Sequence, residues 1–351
     1  NAIILPTVPS VPRGLAGEVA ELWRRLVDGP VAEEAMTAAE AHLVHEFAEA
    51  GIASDRGDHP HRISRLDRPW LSSPLHELVY ALVSGVCQEL PTQAVFIKGP
   101  ALHVQQLRDR EHSGDVDVWV DPRHVTAVVA ALARWGWELD SGLWGDSPAY
   151  HSMALRPPEW GCEIDVHRHI PGMALSDTEA FKRVASATAT MRFASRSITV
   201  PERSIHAVIS ALHEARPSAG MMASDERRAM AAAVLRRSGT HGLEAARALR
   251  AEAALEREIR ELRPEEFVAI DYEPPTNWVW RQSQNSVTRY VLALSTVPKN
   301  KWIRSISRIL WPNSEAMRRI DIANGGSGRS IAKARLRRVV RLFRSSRRPL
   351  S

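Results

Sequence analysis

The chain has 351 residues, 44% of them hydrophobic and 25% charged, with a net charge of +5. That length holds two domains or one elaborated core, and no run of about 18 apolar residues is present to make a membrane-spanning helix. The charge is uneven. Lys299 to Ser351 carries 15 Lys and Arg against Glu315 and Asp321, a net of +13, while residues 1–298 sum to −8, so basicity speaks for the tail alone.

From the N-terminus, Leu15, Val19, Leu22 and Leu26 keep helical spacing, as do Ala39, Leu43 and Phe47, with Gly29-Pro30 between the two runs. Ser54 to Pro69 is polar and reads as a loop. Ser73 is placed to cap a helix from Pro74 to Leu90. The pattern then turns to strands. Ala94–Lys98 is one, and Gly99-Pro100 opens a helix to about Leu107. Asp115–Val120 is a second strand, followed by a helix over Pro122–Trp135 and a short strand at Trp137–Leu139. Tyr150–Leu155 and Cys162–His167 read as a hairpin, with a further strand at Ile198–Val200. Helices return over 202–215, 224–238, 241–262 and 275–296, and a basic amphipathic helix runs from Arg329 to Phe343. The cysteines, Cys87 and Cys162, lie far apart. They read as packing residues of a reduced, cytoplasmic protein, and no secretory pattern opens the sequence.

The densest chemical signal is Gly114-Asp115-Val116-Asp117-Val118-Trp119-Val120. Residues two apart on a strand share a face, so Asp115 and Asp117 lie side by side among valines. Two like charges in apolar surroundings call for a cation, and hard carboxylate oxygens suit Mg²⁺. Asp165, in Glu163-Ile164-Asp165-Val166-His167, is the third candidate carboxylate, with Glu163 as its alternative. Two-metal phosphoryl transfer needs such a set, and the third carboxylate can also serve as general base. Lys98-Gly99 at a strand-to-helix turn offers a phosphate cradle: glycine permits close approach, the helix start attracts anions, and Lys98 adds a full positive charge.

Lys98-Gly99, about sixteen residues to Asp115-Val116-Asp117, and the distant Ile164-Asp165-Val166-His167 together resemble the DNA polymerase beta-type nucleotidyltransferase superfamily, and within it the bacterial uncharacterised nucleotidyltransferase family 5. The resemblance covers roughly residues 90–170 and extends toward a histidine-bearing helix near Ser204–His213. It implies an α+β fold: a small mixed sheet with helices on one face, flanked by N- and C-terminal helical regions. It implies Asp115, Asp117 and Asp165 as catalytic metal ligands for two Mg²⁺ ions, and Lys98, Gly99 and Arg110 as nucleotide contacts. Two departures stand out. Pro100 removes an N–H where the superfamily has Gly-Ser or Gly-Gly, and Arg110 lies five residues before Asp115 where the family places an arginine four before, a position held here by Glu111.

The expected organisation is a helical region over 1–90, a nucleotidyltransferase core over 91–200, a helical region over 201–298 and the basic tail over 299–351. The expected activity is Mg²⁺-dependent transfer of a nucleoside monophosphate from an NTP to an unknown acceptor, with a small molecule, peptide or protein favoured over nucleic acid. The alternative is a catalytically degenerate nucleotide-sensing or interaction module. His167 reads as a structural neighbour positioning Asp165. His167 with His169 is a weak zinc pattern, His213 reads as a core histidine, and Trp135, Trp137, Trp144 and Trp160 read as packing residues, one of them free to stack on a base. The tail helix has three candidate partners: an anionic membrane, nucleic acid, or the acidic remainder of its own chain.

Overall fold

The computed structural model describes residues 1–57, 59–111, 114–140, 150–218, 220–266, 270–312, 314–323, 325 and 330–337. The chain opens with a small antiparallel pair, β1 (Ala2–Ile4) and β2 (Arg13–Leu15), then α1 (Gly17–Asp28) and α2 (Ala38–Glu49). α2 begins at a capping box. The Thr37 side chain accepts from Glu40 N–H, and the Glu40 carboxylate accepts from Thr37 N–H at 2.8 Å. After α3 (Pro74–Glu89) come β3 (Ala94–Ile97), α4 (Gly99–Val104), β4 (Asp115–Val120), α5 (Val125–Arg134), β5 (Glu138–Leu139), β6 (Ser152–Arg156) and β7 (Glu163–His167). α6 (Asp177–Ser186), the hairpin β8 (Thr188–Phe193) and β9 (Arg196–Pro201), and α7 (Arg203–Ala215) follow. The rest is helical: α8 (Asp225–Ser238), α9 (Thr240–Ala248), α10 (Glu256–Leu262), α11 (Thr276–Gln282), α12 (Ser286–Ser295), α13 (Trp302–Leu310) and α14 (Ser314–Ala323). None of the described helices is long and apolar enough to cross a membrane.

The fold is α+β. Five strands form a mixed sheet in the order β3-β4-β7-β6-β5, in which β4 and β7 are parallel and every other pair is antiparallel. Register follows the period-2 alternation. Val116, Val118 and Val120 of β4 and Ile164 and Val166 of β7 face one side, where Val79 and Val83 of α3 and Val128 and Leu132 of α5 bury them. Asp115, Asp117 and Trp119 share the other side with Glu163, Asp165 and His167.

Helices cover both faces, which corrects the expectation of one. Val95, Ile97 and Trp119 make part of the carboxylate face apolar, and this part needs its own cover. Phe181 of α6 and Val208, Ile209 and Leu212 of α7 supply it. The first core therefore joins residues from either side of position 90, and the second joins residues from either side of position 200.

Several elements differ from the sequence reading. The run 241–262 is two helices, parted where Arg250 takes a left-handed φ of +49°. The run 275–296 is also two, because the Asn285 side chain accepts from the N–H groups of Val287 and Thr288 and starts a new helix. β8 is a strand where the sequence pattern marks none. Ser73 precedes α3 without a side-chain cap. Both cysteines are free, with Cys87 buried.

In the tail, residues 331–337 are helical. The Arg335 guanidinium lies 4.3 Å from the centre of the Trp311 ring, and Arg337 pairs with Asp321 at 2.9 Å. These contacts join the tail to itself. The remaining positions of the expected amphipathic helix lie outside the described residues, as does Trp144. Trp137 and Trp160 pack edge to face, 4.9 Å between centroids, within the α3/α5 core.

Candidate functional site

β4 and β7 run parallel, and their register sets Asp117 directly beside Asp165, and Asp115 beside Glu163. Asp117 is fully buried. Its Oδ1 pairs with the Lys98 ammonium and accepts from His167 Nε2 at 2.8 Å. Burial pushes this carboxyl up, but Lys98 and His167 outweigh it and hold Asp117 well below the usual carboxylate range. Asp165 is half-buried and, among the described residues, has no hydrogen-bond or ion-pair partner. Burial, and then the charges of Asp117 and Asp115, push its carboxyl upward against the pull of His167 and Lys98. The two neighbours are thus shifted in opposite directions.

Lys98 ends β3 and enters α4 with φ +61° and ψ −143°, near a region that glycine alone populates freely. The chain adopts almost the same conformation between α8 and α9 and there uses Gly239, at φ +68° and ψ −152°. A lysine at the first position is explained by its side chain. The strained turn is held by a relay. Lys98 N–H donates to His206 Nε2 at 2.7 Å, and His206 Nδ1 faces Gln105 Oε1 at 2.7 Å. Gln105 Nε2 in turn donates to the Pro201 carbonyl, also at 2.7 Å. The Lys98 contact requires a lone pair on Nε2, so the proton of His206 sits on Nδ1. Burial lowers this histidine to about 3, which keeps it neutral.

Gly99 has a φ of +56°, and Gly99, Pro100 and Ala101 are all buried. The Gly99 carbonyl accepts from Arg108 at 2.8 Å. Arg110 is exposed, and its carbonyl accepts from Arg108 Nε at 3.0 Å. Arg108, not Arg110, is therefore the guanidinium that reaches the turn. Asp115 is half-buried at the start of β4, and Glu163 is exposed.

Asp117, Asp165 and His167 form the group suited to a cation: one ligand atom from each lies within 4.8 Å of the others. One further feature fits an ion here: His167 Nδ1 is buried with no hydrogen-bond partner. The Lys98 ammonium acts the other way, since it already serves Asp117 as a positive charge. His167 thus holds Asp117 and not, as the sequence suggested, Asp165.

Arginine and histidine crowd the adjoining space. Lys98, His151, His167, His213 and Arg216 line a small cavity closed by Ile97, Ile170, Pro171, Ile209 and Leu212. His213 faces this cavity instead of a purely apolar core. Burial, then Lys98 and Arg216, lower it well below the usual range. His169 is buried, and neither ring nitrogen has a hydrogen-bond partner. Nothing in the spacing of residues 151, 206, 213, 216 and 281 indicates that they meet.

No protein-family model matches the chain, and a search of curated proteins finds no match either.

Proposed function

We propose that the protein is a Mg²⁺-dependent nucleotidyltransferase that moves a nucleoside monophosphate from an NTP to an acceptor oxygen and releases pyrophosphate. The observation that supports this most is the register of Asp117 and Asp165 on adjacent parallel strands, with Lys98 on a strained turn against them. The motif resemblance of Lys98-Gly99, Asp115-x-Asp117 and Asp165-x-His167 agrees with it. In this reaction an acceptor oxygen forms a bond to the α-phosphorus, while the bond from that phosphorus to the α–β bridging oxygen breaks and pyrophosphate departs with the electron pair. Asp165, a carboxylate with no hydrogen-bond partner among the described residues, suits the acceptor's proton. Asp117 and Asp165 would hold Mg²⁺, with Asp115 at the open end of β4. Bound Mg²⁺ supplies charge neutralisation on the transferring group. Lys98 adds a positive charge beside it.

The test is titration calorimetry with ATP, GTP, CTP and UTP, with and without Mg²⁺, on wild type and Asp165→Asn. This variant leaves the Lys98–Asp117 pair in place. Mg²⁺-dependent binding of an NTP, weakened at least tenfold in the variant, is the expected result. Failure of every NTP to bind overturns the reading.

A degenerate, non-catalytic member is the second reading. Two observations favour it: the Lys98 ammonium already neutralises Asp117, and the Gly99-Pro100-Ala101 backbone is buried. NTP binding that is indifferent to Mg²⁺, with no pyrophosphate released, would select it.

A further inference from the structure

Behind the carboxylates lies a cationic cluster that feels Asp165, Asp117 and Tyr150 at a distance but forms no ion pair with a described carboxylate. Arg216 follows α7 and Arg281 lies in α11; Arg281 is 4% exposed. Neither forms an ion pair with any described carboxylate, and both flank the buried His151. Arg216 Nη1 faces His151 Nε2, and Arg281 Nη2 lies 3.4 Å from His151 Nδ1. A neutral imidazole has one lone pair for two guanidinium donors, so one of these contacts sets N–H against N–H. Arg281 does find the Asn277 carbonyl and the Trp280 ring, 4.2 Å away. Neither supplies a negative charge. Burial, together with the neighbouring Arg216, lowers Arg281 to about 9. Burying a guanidinium without a counter-ion is costly, and here Arg281 is buried with the partly buried Arg216 close by.

We propose that Arg216, Arg281, His151 and His213, with Lys98, form a binding site for a phosphoryl group of a polyphosphate. Planar guanidinium forks and imidazole N–H groups match phosphate oxygens, and an acceptor-only anion resolves the donor conflict around His151. A small cavity lies among Lys98, His151, His213 and Arg216, with Ile170, Pro171, Ile209 and Leu212 along one side of it. Lys98 belongs to both halves: it lines this cavity and holds Asp117. The inference deepens the nucleotidyltransferase reading and rests on it for the polyphosphate. On that reading this cluster takes the phosphates that leave, and the carboxylates work on the phosphate that is transferred.

The probe is tripolyphosphate in EDTA, measured by calorimetry and thermal shift at fixed ionic strength on the full chain. Expected is binding to wild type without metal, weakened at least tenfold in Arg216→Gln and in Arg281→Gln, and unchanged or tighter in Asp165→Asn. Circular dichroism checks that each variant folds, and Arg216→Gln carries the test alone if Arg281→Gln does not. Absence of binding, or equal binding by the folded arginine variants, overturns the proposal. So does an Asp165→Asn variant as destabilised as Asp117→Asn, since Arg216 would then already have Asp165 as its counter-ion. The two readings fail separately. Tripolyphosphate bound by the cluster while no NTP binds with Mg²⁺ removes the transferase alone. Mg²⁺-dependent NTP binding with tripolyphosphate indifferent to both arginines removes this site alone.

Discussion

Within β4 a buried carboxylate has two cationic partners, whereas beside His151 a buried and a partly buried guanidinium share a single histidine. Asp117 has Lys98 and His167 on one oxygen. Arg216 and Arg281 have His151 between them and no described carboxylate. The same chain thus treats equal problems differently. A buried charge that is already paired contributes to the fold. A buried charge left unpaired works against the fold, and its retention points to something that binds. Asp165, which has no hydrogen-bond or ion-pair partner among the described residues, belongs with the arginines in this respect, although its charge is opposite.

The comparison is broken most directly at the two aspartates. Asp117→Asn leaves the Lys98 ammonium largely buried without its counter-charge and should cost about 3–5 kcal/mol of unfolding free energy at pH 7. Because the folded pKa of Asp117 is depressed, its contribution is complete above the ordinary aspartate range and is lost as pH falls through it. The deficit of the variant should therefore shrink in acid. Asp165→Asn should do the reverse. The folded carboxyl of Asp165 is raised, so its ionisation opposes folding at neutral pH, and the variant should be as stable as wild type or more so there. That advantage disappears below about pH 4, where the carboxyl is protonated folded or unfolded. Urea denaturation of both variants across pH 3.5–8 reads all of this, and equal losses for the two at pH 7 would erase the distinction.

The relay behind Lys98 sharpens it next. His206 must stay neutral to accept from Lys98 N–H, and its folded pKa is lowered to about 3. The unfolded chain takes up this proton first, so stability should fall as pH drops below about 6.5, by roughly 2 kcal/mol by pH 5. His206→Gln has no such proton to gain and should show a flatter acid limb in the same assay. An unchanged slope would mean that His206 does not hold the turn as described.

A smaller effect separates the Lys98 backbone from its side chain. Both Lys98→Gly and Lys98→Ala remove the ammonium, but glycine also relieves a φ of +61°. Lys98→Gly should be the more stable of the two by about 1 kcal/mol. If alanine is equal or better, the turn is not strained and the likeness to Gly239 carries no weight.

Legibility in the sequence followed the same division. Asp115, Asp117 and Asp165 could be placed on one face because strand period is strict and the intervening valines mark the other side. Lys98-Gly99 could be placed at a strand end because glycine and proline punctuate there. Arg108 could not be told from Arg110, since a loop has no period. The β8–β9 hairpin turns at Ala194 and Ser195, both with positive φ, where sequence reading looks for Asn-Gly. The break at Arg250 is equally silent, because Arg-Ala-Leu-Arg-Ala-Glu-Ala suits a continuous helix. The cationic cluster was the least legible part. It joins residues that lie before β6, after α7 and in α11, and tertiary packing alone brings them together. A histidine on an apolar helix carries no mark of whether it faces a core or a cavity, and His213 faces a cavity.

The smallest expected change in stability is also the one that most tests the cationic half. Arg216→Met keeps an apolar stem and removes one of the two guanidiniums that compete for the single lone pair of His151. If Arg216 is a charge held for a ligand, its loss should leave the unfolding midpoint unchanged or slightly raised, because a partly buried cation with no ion pair to a described carboxylate is replaced by an apolar group. The thermal stabilisation of wild type by tripolyphosphate, which grows with ligand concentration when the folded state alone binds, should be lost in the variant. A variant that is destabilised by several degrees yet still responds to tripolyphosphate would show the opposite: that Arg216 is part of the scaffold, and that the fold has found a counter-charge for it within the chain.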